Sequence, residues 1–347
     1  MPIIFPDLKE ATVISPNRKV LLITAYGFEE RSLGWTEFQI KHKAKINSAI
    51  VVKYENPKGK NKVRELKKNL KSLGIESFAE LPYDGNGVED IEKKIEEKIN
   101  DIYEFFDEII IDVTPLTKFL ILLFLNKLEK FTGCLRVVYT EANDYAPTKA
   151  EYKNARDKVK RAIKFPSKGF GTILRAKCLS SIRMQGQPVT LIAFNSFNEQ
   201  LVRHMLGTIS PHRLLFINGR PPRNDYKWRE IATASMHSKL IKEYPIGNEL
   251  NTDGTLKRSA STLHYKETID CIDKIYQEFG LYERIILAAT GSKMQTVGIY
   301  FAKKKHQDVH VEYPTPDSYY IKGFTTGKRK IYEIVFKKFS KLIQKFL

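Results

Sequence analysis

The sequence predicts an α/β fold built from two tandem Rossmann-like domains with mainly parallel sheets and an internal duplication. Three observations carry that prediction. Residues 284–302 read as a short apolar run, a tight turn at Thr290-Gly291-Ser292-Lys293 and a helix-forming segment. Residues 108–119 repeat the same order, with Thr114 falling on Thr290 and an Ile-Ile pair ahead of each. Four strands and their helices then recur in one order at an offset of roughly 165 to 175 residues, far longer than a solenoid period.

Taken in order, residues 19–25 form a buried strand, followed by the polar turn Tyr26-Gly27-Phe28-Glu29-Glu30-Arg31 and a helix over 33–43. Residues 49–54 form a second strand, closed by a turn at 56–59, and 60–73 a basic helix with Gly74 placed as its cap. Residues 82–87 read as a loop. The spacing of Val88, Ile91, Ile95, Ile99 and Ile102 predicts an amphipathic helix over 88–106. A strand at 108–113, a helix over 115–131 that is apolar on every face, and a strand at 135–139 complete the first set. Alternation at these lengths argues for βα units on a parallel sheet.

A basic helical pattern covers 151–164, and 166–188 is rich in Gly, Ser, Pro and Gln, with a stray strand at 171–179. The expected boundaries are therefore a domain at 1–165, a linker and hinge at 166–188, and a domain at 189–347. In the second set, 189–199 aligns with 20–30, matching Phe197 to Phe28 and Glu199 to Glu30, and 214–221 aligns with 50–57. Helices follow over 226–244 and 265–279, around a polar, irregular stretch at 246–263, and the last strand falls at 308–313. The end of the chain, 327–347, places Ile331, Val335, Phe339, Leu342 and Phe346 on one face and reads as a basic amphipathic helix packed on its domain.

The formal charge of +18 over 347 residues favours polyanionic partners such as nucleotides, nucleic acid or an anionic membrane, beside the plainer reading of a Lys-rich composition. The three cysteines, Cys134, Cys178 and Cys271, are far apart and lack paired metal spacing, which fits a reducing cytosol and excludes a disulfide framework. With no signal peptide or apolar run long enough to span a bilayer, a soluble, cytoplasmic protein is expected. The seven histidines show no metal-binding spacing, so no metal or cofactor is expected, and there is no nucleophile elbow or Walker A loop.

Open parallel sheets bind ligands beyond the carboxyl ends of their strands. That rule gathers Tyr26, Arg31, Thr114 and Lys118 at one rim, and Asn195, Ser196, Asn198, Arg220, Thr290, Gly291, Ser292 and Lys293 at the other. The second suits an anion, because unpaired N–H groups at a helix start and the helix dipole favour phosphate, and Lys293 adds a full charge. Helix capping is the competing role for Thr114, Ser196 and Ser292, and Gly291 has a competing role in permitting a tight turn. Glu29, Glu30 and Asp112 share the first rim and are the candidate acid and base if the protein is a hydrolase of nucleotides or nucleic acid.

The strand and turn at Thr290-Gly291-Ser292-Lys293 with the helix behind them are similar to the fourth-strand motif of CARF domains, and the turn from Asn195 to Glu199 looks like their other ligand loop. Two such units in one chain resemble the SAVED arrangement. The resemblance implies a Rossmann-like sensor of nucleotides or cyclic oligonucleotides in prokaryotic antiviral defence, with Asn195, Ser196, Thr290, Gly291, Ser292 and Lys293 at phosphates and riboses. A protein effector partner or a homodimer is expected with it, and the boundary at 166–188 supplies a hinge through which binding would change the domain angle. Ser292 replaces the second glycine of that motif, and Pro115 stands where the first domain should have its glycine. The alternatives are the hydrolase and a basic nucleic-acid-binding subunit of a larger complex.

Overall fold

The computed structural model describes residues 3–55, 61–100, 105–154, 167–319 and 324–346. The expected turn at 56–59, the later part of the expected helix 151–164 and Pro166 lie outside them. The chain divides into two compact units, residues 1–146 with 321–347, and residues 147–320. Among the described residues no helix is long and apolar enough to cross a membrane.

The strands, in chain order, are β1 (Leu8–Glu10), β2 (Val20–Ala25), β3 (Ser48–Tyr54), β4 (Ala79–Tyr83), β5 (Glu108–Asp112), β6 (Cys134–Thr140) and β7 (Asp144–Tyr145). Then come β8 (Ser167–Lys168), β9 (Ile173–Leu174), β10 (Val189–Phe194), β11 (Arg213–Arg220), β12 (Ser259–Ser261), β13 (Arg284–Ala288), β14 (His310–Pro314) and β15 (Ser318–Tyr319), with β16 (Thr325–Thr326) and β17 (Ile331–Phe336) last. Every residue of β2 and β5 is buried, the pattern of strands covered by helices on both faces.

The sheet of the first unit runs β1-β17-β6-β5-β2-β3-β4, and that of the second β12-β11-β10-β13-β14-β9. Beneath the added strands lies one parallel order, β4-β3-β2-β5-β6 against β12-β11-β10-β13-β14. The duplication reaches the register, since Val20 lies opposite Glu108 and its counterpart Val189 opposite Arg284. The second strand needs one correction. Leu21 faces Ser48 and Thr190 faces Arg213, so Leu215, not Leu214, matches Ile50.

Both units are therefore Rossmann-like, each with a strand the sequence reading missed. β4 and β12 fall in or beside stretches expected to be loop, because they are short outer strands, one containing Pro82 and the other made of Ser, Ala and Ser. Helices Gly34–Lys41, Val63–Ser72, Val88–Asn100 and Lys118–Lys127 follow β2 to β5, and Gln200–Ile209, Trp228–Met236 with Ser238–Glu243, Tyr265–Phe279 and Lys293–Lys305 follow β10 to β13.

The linker at 166–188 and the C-terminal helix are both corrected. Leu174 and Ile173 of β9 pair antiparallel with Tyr313 and Pro314 of β14, and Thr172 and Thr315 exchange further hydrogen bonds, so this segment is sheet edge rather than hinge. At the other end, β17 pairs antiparallel with β6 along six residues, and only Phe339–Ile343 after it is α-helical. The helical spacing of Ile331 and Val335 was misleading, because Glu333 between them is fully buried and ion-paired to Arg136 at 2.5 Å.

These two segments are counterparts. β8 pairs with β15 and β9 with β14, as β16 pairs with β7 and β17 with β6. Each repeat runs through five parallel strands, a ribbon strand and then an arm of two strands, and the arm completes the sheet of the other repeat. The two repeats thus exchange their arms along the chain.

Candidate functional site

The strand order reverses beside β2 and beside β10. In the second unit the turns after β10 and β13, carrying Asn195–Asn198 and Thr290–Lys293, therefore flank the crevice where open α/β sheets place their ligands. The first unit brings Tyr26–Arg31 and Thr114–Lys118 to the equivalent place.

The first rim is closed by its own side chains. Arg31 makes two bonds to Glu29, at 2.8 and 3.1 Å, one to the Tyr139 hydroxyl at 2.9 Å and one to the Thr140 carbonyl at 3.2 Å, and lies over the rings of Tyr139 and Tyr145. Burial disfavours the Arg31 charge, but Glu29 together with the Tyr139 and Tyr145 phenols outweighs that and holds the guanidinium well above its ordinary pKa. Thr325 of β16 donates to Glu29 at 2.7 Å, and Phe324 packs edge-on to Phe28. Tyr26 is buried and donates to Glu80 at 2.5 Å, and burial with that carboxylate pushes its phenol up.

The proposed catalytic acids do not form an acid–base pair. Glu29 is committed to Arg31 and Thr325, Glu30 is exposed and accepts the Gly327 N–H at 3.1 Å, and fully buried Asp112 accepts the Thr114 N–H at 3.0 Å. Thr114 in turn accepts from the Thr140 N–H at 2.9 Å, and Lys118 opens a helix capped by Thr117. Gly27 is demanded by Ser32, whose Cβ would sit 2.6 Å from a Cβ at that position, with Pro115 Cβ 3.1 Å away.

The second rim is built differently. Thr290 turns its hydroxyl back to β10, accepting from Phe194 N–H at 2.8 Å and donating to Phe194 C=O at 2.9 Å. Ser292 caps helix Lys293–Lys305 in a full capping box: its Oγ accepts the Gln295 N–H at 3.0 Å, and the Gln295 side chain accepts the Ser292 N–H at 2.8 Å. Gly291 is required here, since a Cβ would collide with Oε1 of Gln295. The phosphate contacts expected of Thr290 and Ser292 thus give way to bonds inside the fold, leaving half-buried Lys293 at the helix start. Arg220 is drawn toward Glu267, its ion-pair partner, and Ser259.

What the second rim leaves unmatched lies deeper, between β10 and β11. Asn195 and Asn218 are 6% and 0% exposed, and their amides share one bond of 3.3 Å. Asn195 Oδ1 and Asn218 Nδ2 have no partner among the described residues. Flipping both amides still leaves one donor and one acceptor unmatched. His237, at the end of helix Trp228–Met236, is fully buried, and burial lowers its pKa to about 4, so the ring is neutral near pH 7. Its Nε2 either accepts from Ser196 N–H at 3.3 Å or donates to Ser196 C=O at 3.1 Å, and Nδ1 is unmatched in both cases.

Ser196 and Asn198 hold the turn itself, with Ser196 Oγ accepting from Asn198 N–H at 3.2 Å. The Asn198 amide reaches Gly169 C=O at 3.0 Å, so the β8–β15 ribbon holds Asn198 as the β7–β16 ribbon holds its counterpart Glu29. The sequence rule that gathers strand ends places Asn218 at this rim with Gly219 and Arg220, but it misses His237. No local signal marks His237, because its partner Ser196 lies 41 positions away. Among the described residues no group of three or more His, Cys, Asp or Glu could hold a metal ion.

Fold and site together define a tandem Rossmann-like α/β protein with one rim closed and one unsatisfied. No protein-family model matches the chain, and neither does any curated protein. Among solved structures, a putative universal stress protein from Pseudomonas aeruginosa UCBPP-PA14 aligns over 95% of this chain and 97% of its own at 10% identity, with a TM-score of 0.24. A functionally unknown protein from Pseudomonas aeruginosa PAO1 aligns over 87% and 94% at 11% identity, also with a TM-score of 0.24.

Proposed function

We propose that the protein is a nucleotide sensor, non-catalytic or weakly catalytic, whose ligand is held at the carboxyl ends of β10 and β13 in the second unit. One observation carries this reading: Asn195 Oδ1, Asn218 Nδ2 and His237 Nδ1 are all buried without partners among the described residues, beside the topological switch point. A buried polar group left unmatched costs about 1–3 kcal/mol. A ligand presenting a donor and an acceptor to the two amides recovers part of that cost, as the edge of a nucleobase does. Because these atoms lie beneath the turn, binding also moves the turn, which suits a sensor better than a rigid active site. Lys293 and the overall positive charge favour the phosphates. The resemblance to CARF motifs supports a cyclic oligonucleotide as the ligand and antiviral defence as the setting.

The test is titration calorimetry in physiological salt with mononucleotides, dinucleotides and cyclic oligonucleotides, on the wild type and Asn195→Ala. Saturable binding of one of them, weakened at least tenfold in the variant, is expected. Absence of binding across the panel, or equal affinity in the variant, refutes the reading. Glu29, tied to Arg31, gives the hydrolase no specific support.

A further inference from the structure

The amino ends of β5 and β6, opposite the rim in the first unit, border a pocket of about 330 Å³. That is the lower end of the roughly 300–1,000 Å³ typical of small-molecule sites. Its floor is Arg136, 7% exposed, with Nε on Glu108 at 2.7 Å and Nη1 on Thr12 at 2.9 Å and Glu333 at 2.5 Å. These bonds fix the guanidinium and leave Nη2 with no partner among the described residues. Around it stand Arg18, paired to Glu108 at 3.2 Å, Lys9, paired to Glu333 at 3.2 Å, and exposed Lys337, whose ammonium has no ion-pair partner among the described residues. Both carboxylates are fully buried and already bonded. Four cations thus answer two carboxylates, leaving a surplus of two positive charges around an immobilised donor.

We propose that this pocket binds a small molecule carrying a doubly charged phosphate monoester. The fixed Arg136 Nη2 presents donors of the geometry that suits phosphate oxygens. Lys337 and the half-exposed Arg18 and Lys9 neutralise the anion from the pocket wall while Arg18 and Lys9 keep their contacts to the buried carboxylates. The site shares no residue with the second-unit rim, so the two proposals fail independently.

The experiment is titration calorimetry of the full chain at pH 7.5 and low salt, with inorganic phosphate, phenyl phosphate and the singly charged dimethyl phosphate as probes. The comparison is an Arg18→Ala/Lys337→Ala double variant whose fold is checked by circular dichroism. The dianions are expected to bind at one site, at least tenfold more tightly than the diester and at least tenfold more tightly than to the variant. No saturable binding of either dianion, no preference over the diester, or an unchanged affinity in the variant overturns the proposal.

Discussion

At His237 a neutral imidazole is enclosed by the fold, and this makes stability depend on pH. Its folded pKa of about 4 lies below the unfolded value of 6.5, so the unfolded chain takes up the proton first as pH falls. Stability is unaffected by this group above pH 6.5, is lost progressively between 6.5 and 4, and at pH 5 has fallen by roughly 2 kcal/mol. Denaturant unfolding from pH 7.5 to 5 should show that loss in the wild type and a shallower slope in His237→Gln. Equal slopes would mean that the ring is protonated inside the fold. The same residue shows where the sequence stops being legible. His237 carries no local motif, and its role follows only from Ser196, 41 positions earlier, being brought against it by β10 and the helix after β11.

Among the elements, helix Lys293–Lys305 shows what was legible and what was not. Its position, its start at Lys293 and the tight turn before it follow from Thr290-Gly291-Ser292-Lys293, and capping was the foreseen alternative role of Ser292. That Gln295 closes the box and takes up the Ser292 N–H was not legible, because a glutamine at that position is equally at home on a solvated face. Ser292→Ala removes the bond from Gln295 N–H and the bond to Thr262 C=O at 2.6 Å. It should lower stability by about 1–2 kcal/mol, seen as a lower urea midpoint at unchanged slope. A shift within 0.5 kcal/mol, of the size seen at ordinary surface sites, would show that the cap is not formed. The outer strands β4 and β12 escaped notice for a related reason. Bonded on one side only, they need no apolar run, and their sequences contain none.

For the whole molecule, the duplication was legible because buried parallel strands must be apolar along their length, so β2, β5, β10 and β13 stand out in the sequence. The exchange of arms was not, since β9 and β17 look the same whichever sheet they complete. Ending the chain at residue 320 removes β17, and with it the edge of β6 and the Glu333 partner of Arg136. Hydrogen exchange of that truncated chain should show lost protection in β5 and β6 with β10 and β13 still protected, whereas uniform protection would contradict the exchange. The central claim, a nucleotide at the carboxyl ends of β10 and β13, is tested most directly by mass spectrometry of small molecules released when the purified protein is denatured. A nucleotide released by the wild type and depleted in Asn218→Ala is the predicted result. No nucleotide from either protein, or equal amounts from both, would contradict it.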